Sequence, residues 1–265
     1  MFDSSFIAGK LKVTPQILEF KSEQMKNSPK CTKLKPLSNF EAKLVKSWIE
    51  KALEEGIIEL SYSSWRSAIF PVAKPTIWVD GQPVKQFRMV TPFYNLNPYI
   101  NIRATPLPTV EDIRQELAGS RWFSTLDLRQ AFFQIPLEKS YRKYTAFACT
   151  GSNLYQYRVL PMGCSASGAI LQSAMTEVLR AQYFRDIIVY MDDILIYTKS
   201  TLDHHLQVLE SIIDVLEKAD ARIKLRKVEI GNEEIKFLGM LVNRYGWKIA
   251  EKFNKAVRLA KNCSS

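Results

Sequence analysis

The run Ile187-Ile188-Val189-Tyr190-Met191-Asp192-Asp193-Ile194-Leu195-Ile196-Tyr197 constrains the fold more than any other stretch of the chain. Two adjacent carboxylates interrupt residues that are otherwise apolar, β-branched and aromatic. That pattern predicts two buried strands joined by a tight hairpin with both acids at its tip. Acids held at the tip of a buried sheet suggest a metal ion. An isolated Asp-Asp also serves as an ordinary solvated turn, because Asp tolerates turn conformations. The rest of the chain decides between the two.

A further acid occurs in a similar setting. In Arg121-Trp122-Phe123-Ser124-Thr125-Leu126-Asp127-Leu128 the alternation predicts a strand with Asp127 at its carboxyl end, a costly place for a charge. Its candidate partner is a divalent cation shared with Asp192, whose hairpin would pair alongside this strand. Alternatively, Asp127 caps a helix that Arg129 to Phe133 begins. Before the strand, Thr109-Val110-Glu111-Asp112 makes a capping-box-like helix start, with Val110, Ile113 and Leu117 as the buried face and Gly119 as the end.

Towards the amino end, the first thirty-five residues show little periodicity and read as a loosely structured lead-in. From Ser38 onward, Leu44, Val45, Trp48, Ile49, Ala52 and Leu53 recur at helical spacing and Gly56 follows as a stop. Ile57 to Leu60 is extended, and Trp65 sits in the polar turn Ser63 to Ser67, as a packed core residue or as a nucleobase platform. Ala68 to Lys74 and Gln86 to Val90 read as strands, with the Asp-Gly turn signal in Val79-Asp80-Gly81-Gln82 between them. Lys74, Lys85 and Arg88 on this hairpin suit a triphosphate clamp or simply the charged protection of an edge.

Leu160 to Gly168 is a turn of small residues leading into a helix from Ala169 to Arg180, which allows close approach by a flat ligand or another backbone. After the acidic hairpin, Ser200 and Asp203 open a long helix with Leu202, Leu206, Leu209, Ile213 and Leu216 as its packing face. His204 and His205, the only histidines, lie beside that face without a third ligand, so their expected role is structural.

Composition narrows the class. The 265 residues suffice for one large domain or two lobes, and 37 basic against 27 acidic residues give a net charge of +10, suited to a polyanionic partner. No apolar run is long enough for a membrane span, and there is no signal-peptide pattern or internal repeat. Cys31, Cys149, Cys164 and Cys263 are scattered without CxxC spacing and read as reduced thiols.

Six stretches, in order and at the expected spacing, resemble the reverse transcriptases of gypsy-type LTR retrotransposons: LEEGIIELSYSSWRSAIFPVAKP, FRMVTPFYNLNPYI, STLDLRQAFFQIPL, LPMGCSASGAILQSAM, YMDDILIY and IKFLGMLVNRYGWKI. The resemblance runs from about Pro36 to Ile249. It implies an α+β right-hand polymerase with an antiparallel palm sheet backed by helices. The implied divisions are a lead-in over 1–35, fingers over 36–102 and 137–166, palm over 103–136 and 167–247, and the start of a thumb or connection over 248–265. A thumb would be largely missing. The implied activity is RNA-directed DNA polymerisation, with dNTPs, a primer and an RNA or DNA template as partners and no membrane.

By the same resemblance, Asp127 and Asp192 hold two Mg2+ ions and Asp193 completes an acidic triad. Phe132 is an aromatic gate against the ribose 2′-hydroxyl. Lys74 and Arg88 contact the triphosphate, Met162 and Gly163 line the nucleotide pocket, and Gln172 follows on the next helix. Lys227 protonates pyrophosphate, with Lys224 competing for that role, and Phe237-Leu238-Gly239 grips the primer end. Three positions depart from the family pattern: Pro92-Phe93-Tyr94 replaces a charged stretch, Gly168 replaces a proline, and Met162 stands where Phe or Gln is more familiar.

Because Ser265 follows soon after the last matching stretch, the expectation is a fragment of a retroelement polyprotein or a truncated copy. Two other readings stand beside polymerase activity. One is a degenerate relative that only binds nucleic acid; the other is an RNA-templated RNA polymerase, which should not need an aromatic gate. The expected location is intracellular, cytoplasmic or in virus-like particles, with a possible nuclear stage, and the sequence leaves the oligomeric state open.

Overall fold

The computed structural model describes residues 10–79, 82–180 and 185–249. The Asp80-Gly81 turn signal, Cys263 and nearly all of the expected thumb start lie outside the described residues. The first elements are α1 (Glu23–Lys26), α2 (Asn39–Glu54), β1 (Ile58–Leu60), β2 (Ser67–Ala68), β3 (Phe70–Ala73), β4 (Ile77–Val79), β5 (Gln82–Val84) and β6 (Phe87–Val90). Next come α3 (Val110–Leu117), β7 (Trp122–Asp127), α4 (Ala131–Gln134), α5 (Lys139–Arg142), β8 (Phe147–Ala148), β9 (Tyr155–Tyr157) and α6 (Ser167–Val178). The rest are β10 (Ile187–Tyr190), β11 (Asp193–Thr198), α7 (Leu202–Lys218), β12 (Glu229–Asn232), β13 (Glu234–Phe237), β14 (Met240–Asn243) and β15 (Gly246–Ile249). Two compact units result, one of residues up to Ala104 with Gln130–Ala174, the other of Thr105–Arg129 with residues from Met175 onward.

In the first unit α2 begins with a full capping box, the Ser38 hydroxyl accepting from the Glu41 N–H at 3.2 Å and the Glu41 carboxylate accepting from the Ser38 N–H at 2.9 Å. It buries Val45, Trp48, Ile49 and Ala52. Its neighbour is a four-stranded sheet of order β1-β9-β8-β2, where Trp48 meets the rings of Phe147 and Tyr157 edge-on or tilted. Trp65 is buried against Phe20, Tyr99 and Tyr144, which makes it a core residue. β3 pairs with β6 and β4 with β5, forming the ribbon expected around residues 68–90.

The lead-in departs from expectation over its described part. Leu11 and Leu18 are buried, and the Leu11 and Gln16 amides donate to Gln134 and Pro136 carbonyls at 2.9 and 2.8 Å. Two apolar anchors and backbone bridges hold this segment, and neither leaves a periodic trace in sequence.

The second unit is built on an antiparallel sheet of order β10-β11-β7-β12 and a smaller sheet β13-β14-β15. Side chains alternate across β7 and β11. Phe123, Leu195 and Tyr197, with Ile188 of β10, join Ile113 and Leu117 of α3 and Ile235, Phe237, Met240 and Val242 in one apolar cluster. The opposite face receives α7, which packs on β7, β11 and β12.

Two helix faces differ from expectation. Val110 is 54% exposed, because it is the first residue of α3 and the core begins one turn later at Ile113. On α7, capped by Thr201 and not Ser200, the buried residues are His205, Leu209, Ile212 and Leu216, while Leu202, Leu206 and Ile213 are exposed. The shift follows from His205, whose Nε2 lies 2.7 Å from the Ser124 hydroxyl and whose Nδ1 lies 3.0 Å from the Thr198 hydroxyl. These bonds let a polar ring serve as a core residue, so counting only apolar residues rotates the face. Burial lowers the pKa of His205 below its ordinary range, favouring the neutral ring. The structural role expected of this histidine is the one seen.

Candidate active site

β7 and β11 pair antiparallel with Asp127 directly opposite Asp193. Because Tyr190 pairs with Asp193, Met191 and Asp192 form a two-residue turn, and Met191 has a left-handed φ of 55°. Such a backbone is costly for a side-chain-bearing residue and persists only where its surroundings enforce it. Here the Leu128 N–H donates to the Asp192 carbonyl at 3.0 Å and the Lys224 N–H to the Asp127 carbonyl at 2.8 Å. Neighbouring backbone thus fixes two of the three acids independently of their charge.

Asp127 is buried and forms an ion pair with the Lys227 ammonium. Burial pushes the Asp192 carboxyl above the usual range, and the Asp127 charge adds to the shift. Asp193 is raised for the same primary reason, with repulsion from Asp192 and Asp127 added. The Lys227 pKa rises through its hydrogen bond to Asp127. Helix α4 starts at Ala131 with Gln130 as N-cap and no side-chain cap, so Asp127 is not the capping residue. Lys224 acts on the corner through its amide and, more weakly, through its charge on Asp192, whereas Lys227 reaches a carboxylate directly.

A cavity of about 360 Å³ opens beside this corner, lined by Asp127, Asp193, Arg226, Lys227, Lys236, Phe237 and Leu238 among others. The Leu238-Gly239 turn joins β13 to β14, with both residues left-handed at φ 48° and 79°. Arg226 and Lys236 are additions that the sequence pattern does not signal, although they directly precede Lys227 and Phe237. Among the described residues no three His, Cys, Asp or Glu side chains are grouped so as to hold a metal ion.

The remaining candidates belong to the first unit. Lys74 and Arg88 are exposed on the two arms of the ribbon, where Val72 pairs with Arg88 and the Lys74 N–H donates to the Gln86 carbonyl at 2.8 Å. Phe132 is half-buried on α4. Gln172 is fully buried on α6. Met162 and Gly163 are exposed at the tip of the loop before α6.

The fold is that of the fingers and palm of a polymerase. It is similar to the solved foamy viral protease-reverse transcriptase in complex with double-stranded DNA, with a TM-score of 0.79 and 24% identity over 95% of this chain and 42% of that one. The same viral protein in complex with an RNA/DNA hybrid gives a TM-score of 0.79 and 23% identity over 95% of this chain and 32% of that one. The family described as reverse transcriptase (RNA-dependent DNA polymerase) matches residues 81–242, and the chain belongs to that family. It is 29% identical to the retrovirus-related Pol polyprotein from transposon gypsy of Drosophila melanogaster, over 88% of this chain and 22% of the relative. It is 32% identical to that from transposon opus of the same organism, over 80% of this chain and 21% of the relative. The chain therefore spans about a fifth of the length of these curated relatives.

Proposed function

We propose that this chain is the catalytic part of an RNA-directed DNA polymerase that adds dNTPs to a primer 3′-hydroxyl on an RNA or DNA template. The observation that carries the reading is the register of the palm sheet, which puts Asp127 opposite Asp193 with Asp192 at the adjoining tip. Family membership and the net charge of +10 agree with a nucleic-acid substrate.

Asp127 and Asp192 fit as holders of divalent cations. They are two hard oxygen donors, Asp127 buried and Asp192 half-buried, at a corner that already attracts the positive charge of Lys227, and burial with the neighbouring Asp127 charge opposes ionisation of Asp192. Two carboxylates suffice for Mg2+, which takes few protein ligands and completes its shell with water and substrate phosphates. When bound, two such ions supply Lewis acidity that favours the 3′-alkoxide and neutralises charge on the α-phosphate and the pyrophosphate. Asp193 adds negative charge beside them. Lys227 holds a proton in reach of the corner and is the candidate donor to the leaving group, Lys74 and Arg88 supply cations for the triphosphate, Phe132 excludes a 2′-hydroxyl, and Phe237-Leu238-Gly239 steadies the primer end.

The test is dTTP incorporation by the purified chain on poly(rA) primed with oligo(dT), with magnesium or with EDTA. Magnesium-dependent extension is expected. Salt-sensitive binding of the template-primer without any extension would contradict the reading and leave a nucleic-acid-binding role. A Phe132→Ala variant is expected to accept rTTP, and continued rejection of rTTP would remove Phe132 as the gate.

A further inference from the structure

The loop from Leu160 to Ser167 is pinned at several points by groups with no obvious part in chemistry. Leu160 donates from its amide to the Ile135 carbonyl at 2.9 Å, and the Ser167 hydroxyl donates to the Pro161 carbonyl at 2.7 Å. Cys164 and Ala166 are buried, whereas Met162 is 41% exposed at the tip. Gly163 has φ 95°, and a Cβ there would collide with the Thr91 carbonyl oxygen. The loop is therefore rigid and presents a large apolar side chain and a bare backbone outward.

One side chain spans the tip. Asn97 Nδ2 donates to the Gly163 carbonyl at 3.0 Å, while Asn97 Oδ1 accepts from the Ser165 N–H at 2.9 Å. Nδ2 also lies 3.4 Å from the Pro92 carbonyl, and the Asn97 amide donates to the Phe93 carbonyl at 2.9 Å, so the asparagine is itself fixed by its own turn. A side chain that offers both a donor and an acceptor is required to bridge a carbonyl and an amide two residues apart. We infer that Asn97 is the positioning residue that sets the Met162-Gly163 backbone for the incoming nucleotide. This rests on the polymerase reading above.

Asn95 supplies an internal control. Its side chain makes a comparable set of bonds, accepting from the Ser67 hydroxyl at 2.8 Å and donating to the Lys30 and Arg66 carbonyls at 2.8 and 3.0 Å, but it ties the turn around Trp65 and not the loop. Losing either asparagine removes a similar number of hydrogen bonds. Only Asn97 should matter to nucleotide binding.

The experiment compares Asn97→Ala and Asn95→Ala with the unaltered chain by thermal melting, by steady-state dTTP incorporation on primed poly(rA), and by amide exchange over residues 160–167. Both variants should melt lower by a similar amount. Asn97→Ala should raise KM for dTTP roughly tenfold with kcat and template-primer affinity little changed, and should speed exchange at the Ser165 amide. Asn95→Ala should do neither. Equal KM values in the two variants, or unchanged exchange at Ser165 in Asn97→Ala, would overturn the inference. If the unaltered chain incorporates no dTTP, the polymerase reading fails and this one with it, whereas normal incorporation with an unaffected KM in Asn97→Ala overturns this one alone.

Discussion

The hairpins β10–β11 and β13–β14 have turns of equal length and border the same cavity, one through Asp193 and the other through Phe237 and Leu238. Their turns are solved differently. Met191-Asp192 combines a left-handed backbone with a carboxyl group whose charge is opposed by burial and by the Asp127 charge. Leu238-Gly239 is uncharged and left-handed at both residues, the geometry that best suits the twist of a two-residue hairpin. Support differs as well. The acidic hairpin lies in a four-stranded sheet covered by α7, while the neutral one lies in a three-stranded sheet of short strands. A turn that concentrates charge needs a stiff frame behind it, and a turn that offers backbone and a leucine needs mainly the right dihedral angles.

Removing charge from the stiff hairpin has the largest expected effect. Asp127→Asn should lower incorporation by about 10³-fold while template-primer affinity, measured by fluorescence anisotropy, stays near normal. It should also return the Lys227 pKa towards its ordinary value. Retained turnover would show that the corner does not depend on Asp127.

Next in size is the frame itself. Leu209→Ala, on the buried face of α7, should cost about 2–5 kcal/mol in denaturant unfolding, whereas Leu206→Ala, on the exposed side, should stay within about 0.5 kcal/mol. Equal costs would mean that the face has been misplaced.

On the neutral side, Gly239 sits at φ 79°. Gly239→Ala should destabilise by about 1–2 kcal/mol, the cost of a left-handed backbone for an L-residue, and weaken primer binding with little effect on dTTP affinity. A shift in dTTP affinity alone would argue that this turn faces the nucleotide and not the primer.

The smallest effect is a pH slope. The folded pKa of His205 lies below its ordinary value, so the unfolded chain takes up the proton first on acidification. The contribution is present above a pH of about 6.5 and is lost as pH falls through the folded value. Amide exchange in β10–β11 should accelerate on acidification more than in β13–β14, beyond the intrinsic change, and His205→Gln should remove the difference. An unchanged difference in that variant would exclude the bridge to Ser124 and Thr198 as its cause.

The acidic strands were legible because periodicity of two and buried acids leave a strong mark, and the structure pairs β7 with β11 as the sequence implied. The face of α7 was not, because a histidine that satisfies both ring nitrogens behaves as a core residue while reading as a surface one. The lead-in hides its order for the opposite reason: Leu11 and Leu18 are single anchors, and single anchors have no period. Asn97 lies within one of the six matching stretches, but its bonds to the Gly163 loop join positions far apart in sequence, which no local pattern reveals. Arg226 and Lys236 leave no distinct mark in sequence, because charged residues beside a motif usually belong to a solvated surface.

Cation-dependent nucleotidyl transfer at the Asp127, Asp192 and Asp193 corner is open to a single decisive experiment: single-turnover incorporation of dTTP at saturating primed poly(rA), titrated with magnesium, in the unaltered chain and in Asp192→Asn. A saturable magnesium-dependent burst is expected in the first and its loss in the second, with equal template-primer binding. A burst of similar rate in Asp192→Asn would show that the chemistry does not depend on this corner.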